Sequence, residues 1–132
     1  MTKEKIKELA YRLYAYLVDH QLAGDTRIYF GFSKTKNGYA LQSYKPNNVT
    51  YTYTKIKVGT KEYPVYLISD INPNDYFDYN GNYISVSTEG PLYDVLNYGY
   101  DKKTETDLRN MFEEYGLYYE LGNAWNFSLY EV

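Results

Sequence analysis

The strongest evidence for a β-sheet lies in residues 49–69, which read VTYTYTKIKVGTKEYPVYLIS. Strict alternation over residues 49–58 predicts a strand with two different faces. One face carries Tyr51, Tyr53, Lys55 and Lys57, and the other carries threonine, isoleucine and valine. The turn residues 59–62 lead into a second strand over residues 63–69. Because Pro64 cannot donate to a strand ladder, we expect it at a sheet edge or near a strand start.

Further strands flank this hairpin on both sides. Residues 27–32 and 38–44 are joined through an Asn-Gly dipeptide, which is a strong hairpin signal. Residues 83–87 predict another strand, and residues 117–121 and 124–132 predict a final hairpin. Alternation in this last strand predicts one core-facing side, formed by Trp125, Phe127 and Leu129.

Three segments have helical patterns. Residues 3–22 place Ile6, Leu9, Ala10, Leu13 and Leu17 on one stripe. A short second helix begins at Gly90-Pro91 and ends at Gly99.

The third helix opens at Thr104, where Thr104 to Asp107 resembles a capping box, and closes at Gly116. Strands do not alternate regularly with long helices, which argues against a doubly wound parallel sheet. We therefore predict a single α+β domain over residues 1–132, with a mainly antiparallel sheet of five to seven strands and about three helices.

Composition narrows the class of protein. The chain has no cysteine, which excludes disulfides, thiolate metal sites and thiol catalysis. No apolar run approaches the length of a membrane span, and the first residues lack a signal-peptide pattern, so we expect a cytoplasmic protein. Twenty tyrosines in 132 residues exceed what a core alone needs. Some of them are expected to form an exposed aromatic surface of the kind that recognises partners.

The charges are sorted along the chain. Residues 1–62 hold eleven Lys and Arg against five acids, whereas residues 63–132 hold three against twelve. Such asymmetry is typical of proteins that bind a charged partner. Our leading hypothesis is that the chain binds a protein partner, whose basic surface docks on the acidic, tyrosine-rich second half. The predicted partner-binding residues are Asp94, Tyr98, Tyr100, Asp101, Glu105, Asp107, Glu113, Glu114 and Tyr118.

The alternative is a single-stranded nucleic-acid site in the first half. Tyr51 and Tyr53 alternate with Lys55 and Lys57, so bases could stack on rings while lysines neutralise phosphates. Arg27, Tyr29, Lys34 and Lys36 are nearby in sequence and would extend this platform.

Other chemistries have weaker support. The Asp/Asn-rich segment 70–75 begins like a calcium loop, but it lacks the sixth-position glycine and the twelfth-position glutamate, so we interpret it as a turn. His20 is the sole histidine and suits the end of the first helix. Trp125 and Phe127 could stack on sugar rings, although a core role fits them better. We expect no catalytic residues, no cofactor and no metal site.

Two clusters of acids and tyrosines give the chain its general character: residues 74–79 (Asn-Asp-Tyr-Phe-Asp-Tyr) and residues 113–120 (Glu-Glu-Tyr-Gly-Leu-Tyr-Tyr-Glu). Together with the short α+β domain and the absence of cysteine, they resemble small accessory proteins of phages and mobile elements, including anti-CRISPR and related anti-defence inhibitors. That resemblance implies an inhibitor that occupies a basic nucleic-acid-binding surface of a host defence nuclease complex. It assigns no role to any individual residue.

Overall fold

The protein is described from a computed structural model, which covers residues 1–31, 38–72, 82–99, 101–123 and 125–132. Within these residues it has three helices and seven strands. The helices are α1 (Lys3–Asp19), α2 (Pro91–Tyr98) and α3 (Lys102–Glu113). The strands are β1 (Thr26–Gly31), β2 (Gly38–Gln42), β3 (Tyr51–Val58), β4 (Lys61–Ile71), β5 (Asn82–Thr88), β6 (Leu117–Asn123) and β7 (Asn126–Glu131). The predicted α+β class is confirmed.

All seven strands form one antiparallel sheet in the order β3-β4-β2-β1-β5-β7-β6. The two halves of the chain meet at its centre, where Ile28 of β1 lies opposite Val86 of β5. The two halves therefore share one sheet, with β3, β4, β2 and β1 on one side of this junction and β5, β7 and β6 on the other.

The three helices cover one face of this sheet. The apolar stripe of α1 is buried as predicted, with Leu9, Leu13 and Leu17 fully enclosed. Leu108 of α3 and Leu92 of α2 join the same core, together with sheet residues such as Phe127. Because helical and strand residues share one apolar cluster, burial of this face supplies most of the hydrophobic stabilisation.

The start of α3 differs from the prediction. Its N-cap is Asp101, whose carboxylate accepts hydrogen bonds from the Thr104 backbone N–H at 3.2 Å and from the Thr104 hydroxyl at 2.6 Å. The predicted capping box beginning at Thr104 is therefore wrong, because a better cap lies three residues earlier. Thr104 is instead buried in the first turn.

Pro64 lies in β4, which is not an edge strand because β3 and β2 flank it. The pairing between β2 and β4 ends at Gln42 and Tyr66, so at Pro64 only β3 is paired with β4. This position tolerates the missing N–H of proline. The Pro64 carbonyl accepts a hydrogen bond of 2.7 Å from Tyr14, and burial raises the pKa of Tyr14 to about 12.

The last hairpin follows the prediction only in part. Phe127 and Leu129 are buried on the helix-covered face as expected. Trp125 is 54% exposed, so its predicted core position is wrong. It falls in the turn before β7 starts at Asn126, where strand alternation does not yet apply.

Candidate functional site

The second face of the sheet carries no helix among the described residues. We call it the open face because no described helix covers it, and we define it by Tyr29, Ala40 and Ile68, which form a small buried cluster separate from the main core. Residues directly opposite each other in antiparallel strands point to the same side, so the register extends this face across the sheet. Its described tyrosines are Tyr29, Tyr51, Tyr53, Tyr66, Tyr118 and Tyr130. Seryl and amide side chains lie between them at Gln42, Ser85, Ser87, Asn126 and Ser128.

Three of these tyrosines form a continuous aromatic surface. Tyr66 of β4 lies between two residues of β3, with ring centroids 5.4 Å from Tyr51 and 4.6 Å from Tyr53. The contact follows from the register, because Tyr53 is directly opposite Tyr66. Tyr53 is 60% exposed, so its ring is available to a ligand. Aromatic surfaces of this kind accept planar rings by stacking.

An arginine is held in the middle of the open face. The Nε–H of Arg27 donates to the Oε1 of Gln42, and one terminal nitrogen lies 3.3 Å from the Tyr29 hydroxyl. Gln42 is fully buried, and its amide also donates to the Tyr44 carbonyl at 2.7 Å. No carboxylate lies within ion-pair distance of Arg27 in the described part of the chain. Among the described residues the guanidinium is thus oriented by neutral groups.

The open face carries cations as well as tyrosines. Its described strand residues include three cations, Arg27, Lys55 and Lys57, and two acids, Glu62 and Glu120. Asp25 and Glu89, next to the ends of β1 and β5, also act on Tyr44 together with Arg27. Within the described ranges neither lysine forms an ion pair. The whole chain has a net charge of −3, so these cations offer a phosphate more favourable contacts than an average part of the surface would.

Several acids of the predicted partner-binding set already contact cations of the protein itself. Asp107 accepts hydrogen bonds from Lys103 at 2.7 Å and from Tyr16 at 2.8 Å, and both lower the pKa of its carboxyl group. Asp101 caps α3, and the hydrogen bonds from Thr104 likewise lower its pKa. These two carboxylates have structural roles that tie α3 to its own first turn and to α1.

Two further acids of that set form ion pairs. Glu114 lies 2.6 Å from Arg12 of α1, and Glu105 lies 3.7 Å from Lys102. Arg12 also reaches the Tyr115 hydroxyl at 3.1 Å, which joins α1 to the turn after α3. The acidic charge of the second half is therefore partly neutralised by cations, including one from the first half.

The remaining described members of the set lie on α2, at the end of α3 and on β6. Asp94 and Tyr98 are exposed on α2, where the Tyr98 ring lies 6.1 Å from Tyr93. Glu113 is exposed at the end of α3, whereas Tyr118 belongs to the open face opposite Tyr130. Tyr100 is outside the described residues. The structure thus distributes the predicted acidic site over α2, α3 and the sheet.

The described residues of the alternative, nucleic-acid site lie on one face of the sheet. Tyr51, Tyr53, Lys55 and Lys57 share the open face with Arg27 and Tyr29, as the nucleic-acid hypothesis requires. Lys34 and Lys36 fall outside the described residues. Sequence reasoning missed Tyr66 and Gln42, because their position depends on which strands are neighbours.

The other predicted features have ordinary surroundings where they are described. His20 stacks on Tyr16 at 4.0 Å, and its Nδ1 lies 2.9 Å from the Tyr16 carbonyl. Of the calcium-like segment, residues 73–75 are outside the described residues. In the described ranges no cluster of three or more potential ligands could hold a metal ion, and no helix has the length and apolarity needed to cross a membrane.

Comparisons with protein-family models, with curated proteins and with solved structures found no match to this chain. The function is therefore argued from the geometry and chemistry of the open face.

Proposed function

We propose that this protein is a non-enzymatic cytoplasmic binding protein that holds single-stranded nucleic acid on the open face of its sheet. The observation that carries this proposal is the combination of the Tyr51–Tyr66–Tyr53 surface with the three cations of the same face. Single strands are bound in this way by many proteins, because every base has a planar ring and every nucleotide a phosphate.

The arrangement supports modest, sequence-tolerant binding. The rings of Tyr53 and Tyr66 offer stacking surfaces, while Lys55 and Lys57 project from the same edge of the face. Arg27 is on β1, which is separated from β3 by the two strands β4 and β2, and it would contact a phosphate as the nucleic acid crosses the sheet. Three cations predict a weak salt dependence, with a slope of about −2 for log K against log salt.

Fluorescence anisotropy with a labelled oligothymidine of about twelve nucleotides tests the proposal at low and physiological salt. Tyr53→Ala should weaken binding by about five-fold or more, because loss of one stacked base costs roughly 1–3 kcal/mol. The double variant Lys55→Glu/Lys57→Glu should abolish binding. Its matched control is Lys3→Glu/Lys5→Glu on α1, which makes the same change in net charge on the helix-covered side.

Absence of binding by the wild-type protein at low salt would contradict the proposal. Equal loss in the α1 control would also contradict it, since binding would then reflect overall charge rather than the open face. A duplex of the same length is the specificity control, because stacking on Tyr53 requires unpaired bases.

A second candidate keeps the acidic docking hypothesis. It is favoured by α2, where exposed Tyr98 packs against Tyr93 beside Asp94, which forms no ion pair with another described residue. Such an acid–tyrosine patch could occupy a basic surface of a nucleic-acid-processing complex and inhibit it. The test is a pull-down from nuclease-treated host lysate with the wild type and Asp94→Lys/Tyr98→Ala. A salt-sensitive, stoichiometric partner lost only in the variant would support this function, and equal recovery by both would contradict it.

A further inference from the structure

The two edges of the sheet have different chemistry. The strand order ends at β3 on one side and at β6 on the other. β3 projects Lys55 and Lys57, and charged side chains, lysine above all, discourage the addition of another strand. β6 has one charged residue, Glu120, and its Leu121 is 46% exposed. Of the two edges, β6 is thus the less protected.

A groove runs along the β6 edge. It has a volume of about 540 Å³ and is lined by Arg109 and Glu113 of α3 and by Tyr118, Tyr119, Glu120 and Leu121 of β6. Tyr118 and Glu120 belong to the open face, whereas Tyr119 and Leu121 lie on the helix-covered face opposite Leu129 and Phe127. Because its lining includes side chains from both faces, the groove follows the edge of the sheet, and α3 forms one wall.

This geometry suits an extended peptide. We propose that the groove between α3 and β6 accepts one strand of a partner protein, which adds to the sheet through backbone hydrogen bonds with β6. In the described residues no strand pairs with the outer edge of β6, so alternate N–H and C=O groups there are open to pairing. Strand addition at an exposed edge is an established mode of peptide recognition, in which pockets for alternate side chains set the specificity.

The lining defines the chemistry of the strand. On the helix-covered side, exposed Leu121 and half-buried Tyr119 favour apolar side chains at every second position. On the open side, Glu120 favours a basic residue directly opposite. Glu113 adds a second acid to the groove against the single cation of Arg109, so the net charge of the lining also favours a basic segment. None of these three charged groups forms an ion pair with another described residue.

A second copy of the chain fits the groove less well. Pairing β6 with its own symmetry mate would bring together two linings that each hold Glu113 and Glu120 against the single cation of Arg109. Like charges at such a seam oppose pairing, whereas a basic strand meets these acids with complementary charge. The occupant is therefore a β-strand from a different protein, independent of any nucleic acid on the open face.

The probe is an acetylated peptide of about eight residues in which valine alternates with threonine and one central threonine is replaced by lysine. Two-dimensional NMR of the ¹⁵N-labelled full chain should show shifts and slowed hydrogen exchange for the β6 amides of residues 117–121. A peptide with glutamate in place of the lysine should bind about three- to ten-fold more weakly. Glu120→Lys should reverse that preference, whereas the control Glu62→Lys, on β4 near the opposite edge, should leave it unchanged.

A third peptide, N-methylated at the amides that face β6, separates strand addition from loose hydrophobic contact and should lose binding. Retention of its binding would overturn the proposal, as would shifts confined to β3 or absence of binding by the lysine peptide. A doubled molecular mass in light scattering together with protection of residues 117–121 would also overturn it, because a second copy would then close this edge.

Discussion

The buried side chain of Gln42 connects the stability of the sheet to the candidate binding site, and its replacement by leucine is the most informative perturbation. Gln42→Leu removes the hydrogen bond to the Arg27 guanidinium and the bond of 2.7 Å to the Tyr44 carbonyl. A hydrogen bond to a charged group contributes about 1.5–3 kcal/mol, and a neutral one contributes about 0.5–1.5 kcal/mol. Burial of a leucine in the same space offsets roughly 1 kcal/mol of this loss.

We therefore expect the free energy of unfolding to fall by about 1–3 kcal/mol in Gln42→Leu. Urea denaturation followed by circular dichroism at neutral pH measures this difference. The Arg27→Met variant and the double variant complete a cycle, whose coupling energy should be about 1.5 kcal/mol or more. A coupling near zero, or a Gln42→Leu protein as stable as the wild type, would refute the reasoning.

The same variant tests whether Arg27 is oriented for binding. Without Gln42 the guanidinium loses the partner that fixes its direction across the sheet. Oligonucleotide affinity at low salt should then fall although the charge of Arg27 is retained. Lower stability with unchanged affinity would show that the Arg27–Gln42 pair serves the fold alone.

Three further variants test the fold. Phe127→Ala should lower the free energy of unfolding by about 3–5 kcal/mol, because the ring is buried among α3 and sheet residues. Urea denaturation measures this loss, and a loss below about 1 kcal/mol would contradict the packing. Gly99→Ala should cost about 1–2 kcal/mol in the same assay, since this residue ends α2 at a φ of 65°. Asp101→Asn keeps the N-cap at neutral pH but removes a titrating group. The Asp101 pKa is lowered in the fold, so its carboxylate stabilises the protein above the ordinary pKa of about 4, and this contribution is lost as pH falls through the lower folded value. Melting temperatures from pH 7 to pH 2 should therefore fall less steeply in Asp101→Asn, and identical profiles would contradict the cap.

Elements with a clear period were predictable from sequence. The alternation over residues 51–58 and the apolar stripe of α1 each repeat over several turns or pleats, and both elements form where expected. The predicted end of α1 was three residues too late, because Gln21 leaves the helical region with a φ of 59°. Boundary errors of this size are usual, since the last turn depends on local contacts that periodicity does not include.

Errors were concentrated where several local signals compete. Asp101 and Thr104 are both good N-caps, and the sequence alone did not show which one begins α3. Trp125 fits the alternation of β7, yet it lies in the turn that precedes that strand. The ion pairs within the predicted acidic set were also missed. The partner of Glu114 is Arg12, about a hundred residues away in the chain, where no local pattern connects the two residues.

Local chemistry therefore accounts for the helices, the strands and the two faces of each strand, because side-chain direction repeats every two or 3.6 residues whatever the rest of the chain does. The exclusion of disulfides and thiolate sites likewise follows from the sequence, because the chain has no cysteine. The strand order, the pairing of β1 with β5 and the meeting of Tyr66 with Tyr53 required the tertiary structure. These contacts join segments whose proximity depends on burial of the whole apolar face beneath the helices, and that packing leaves Tyr53 and the β6 edge at the surface.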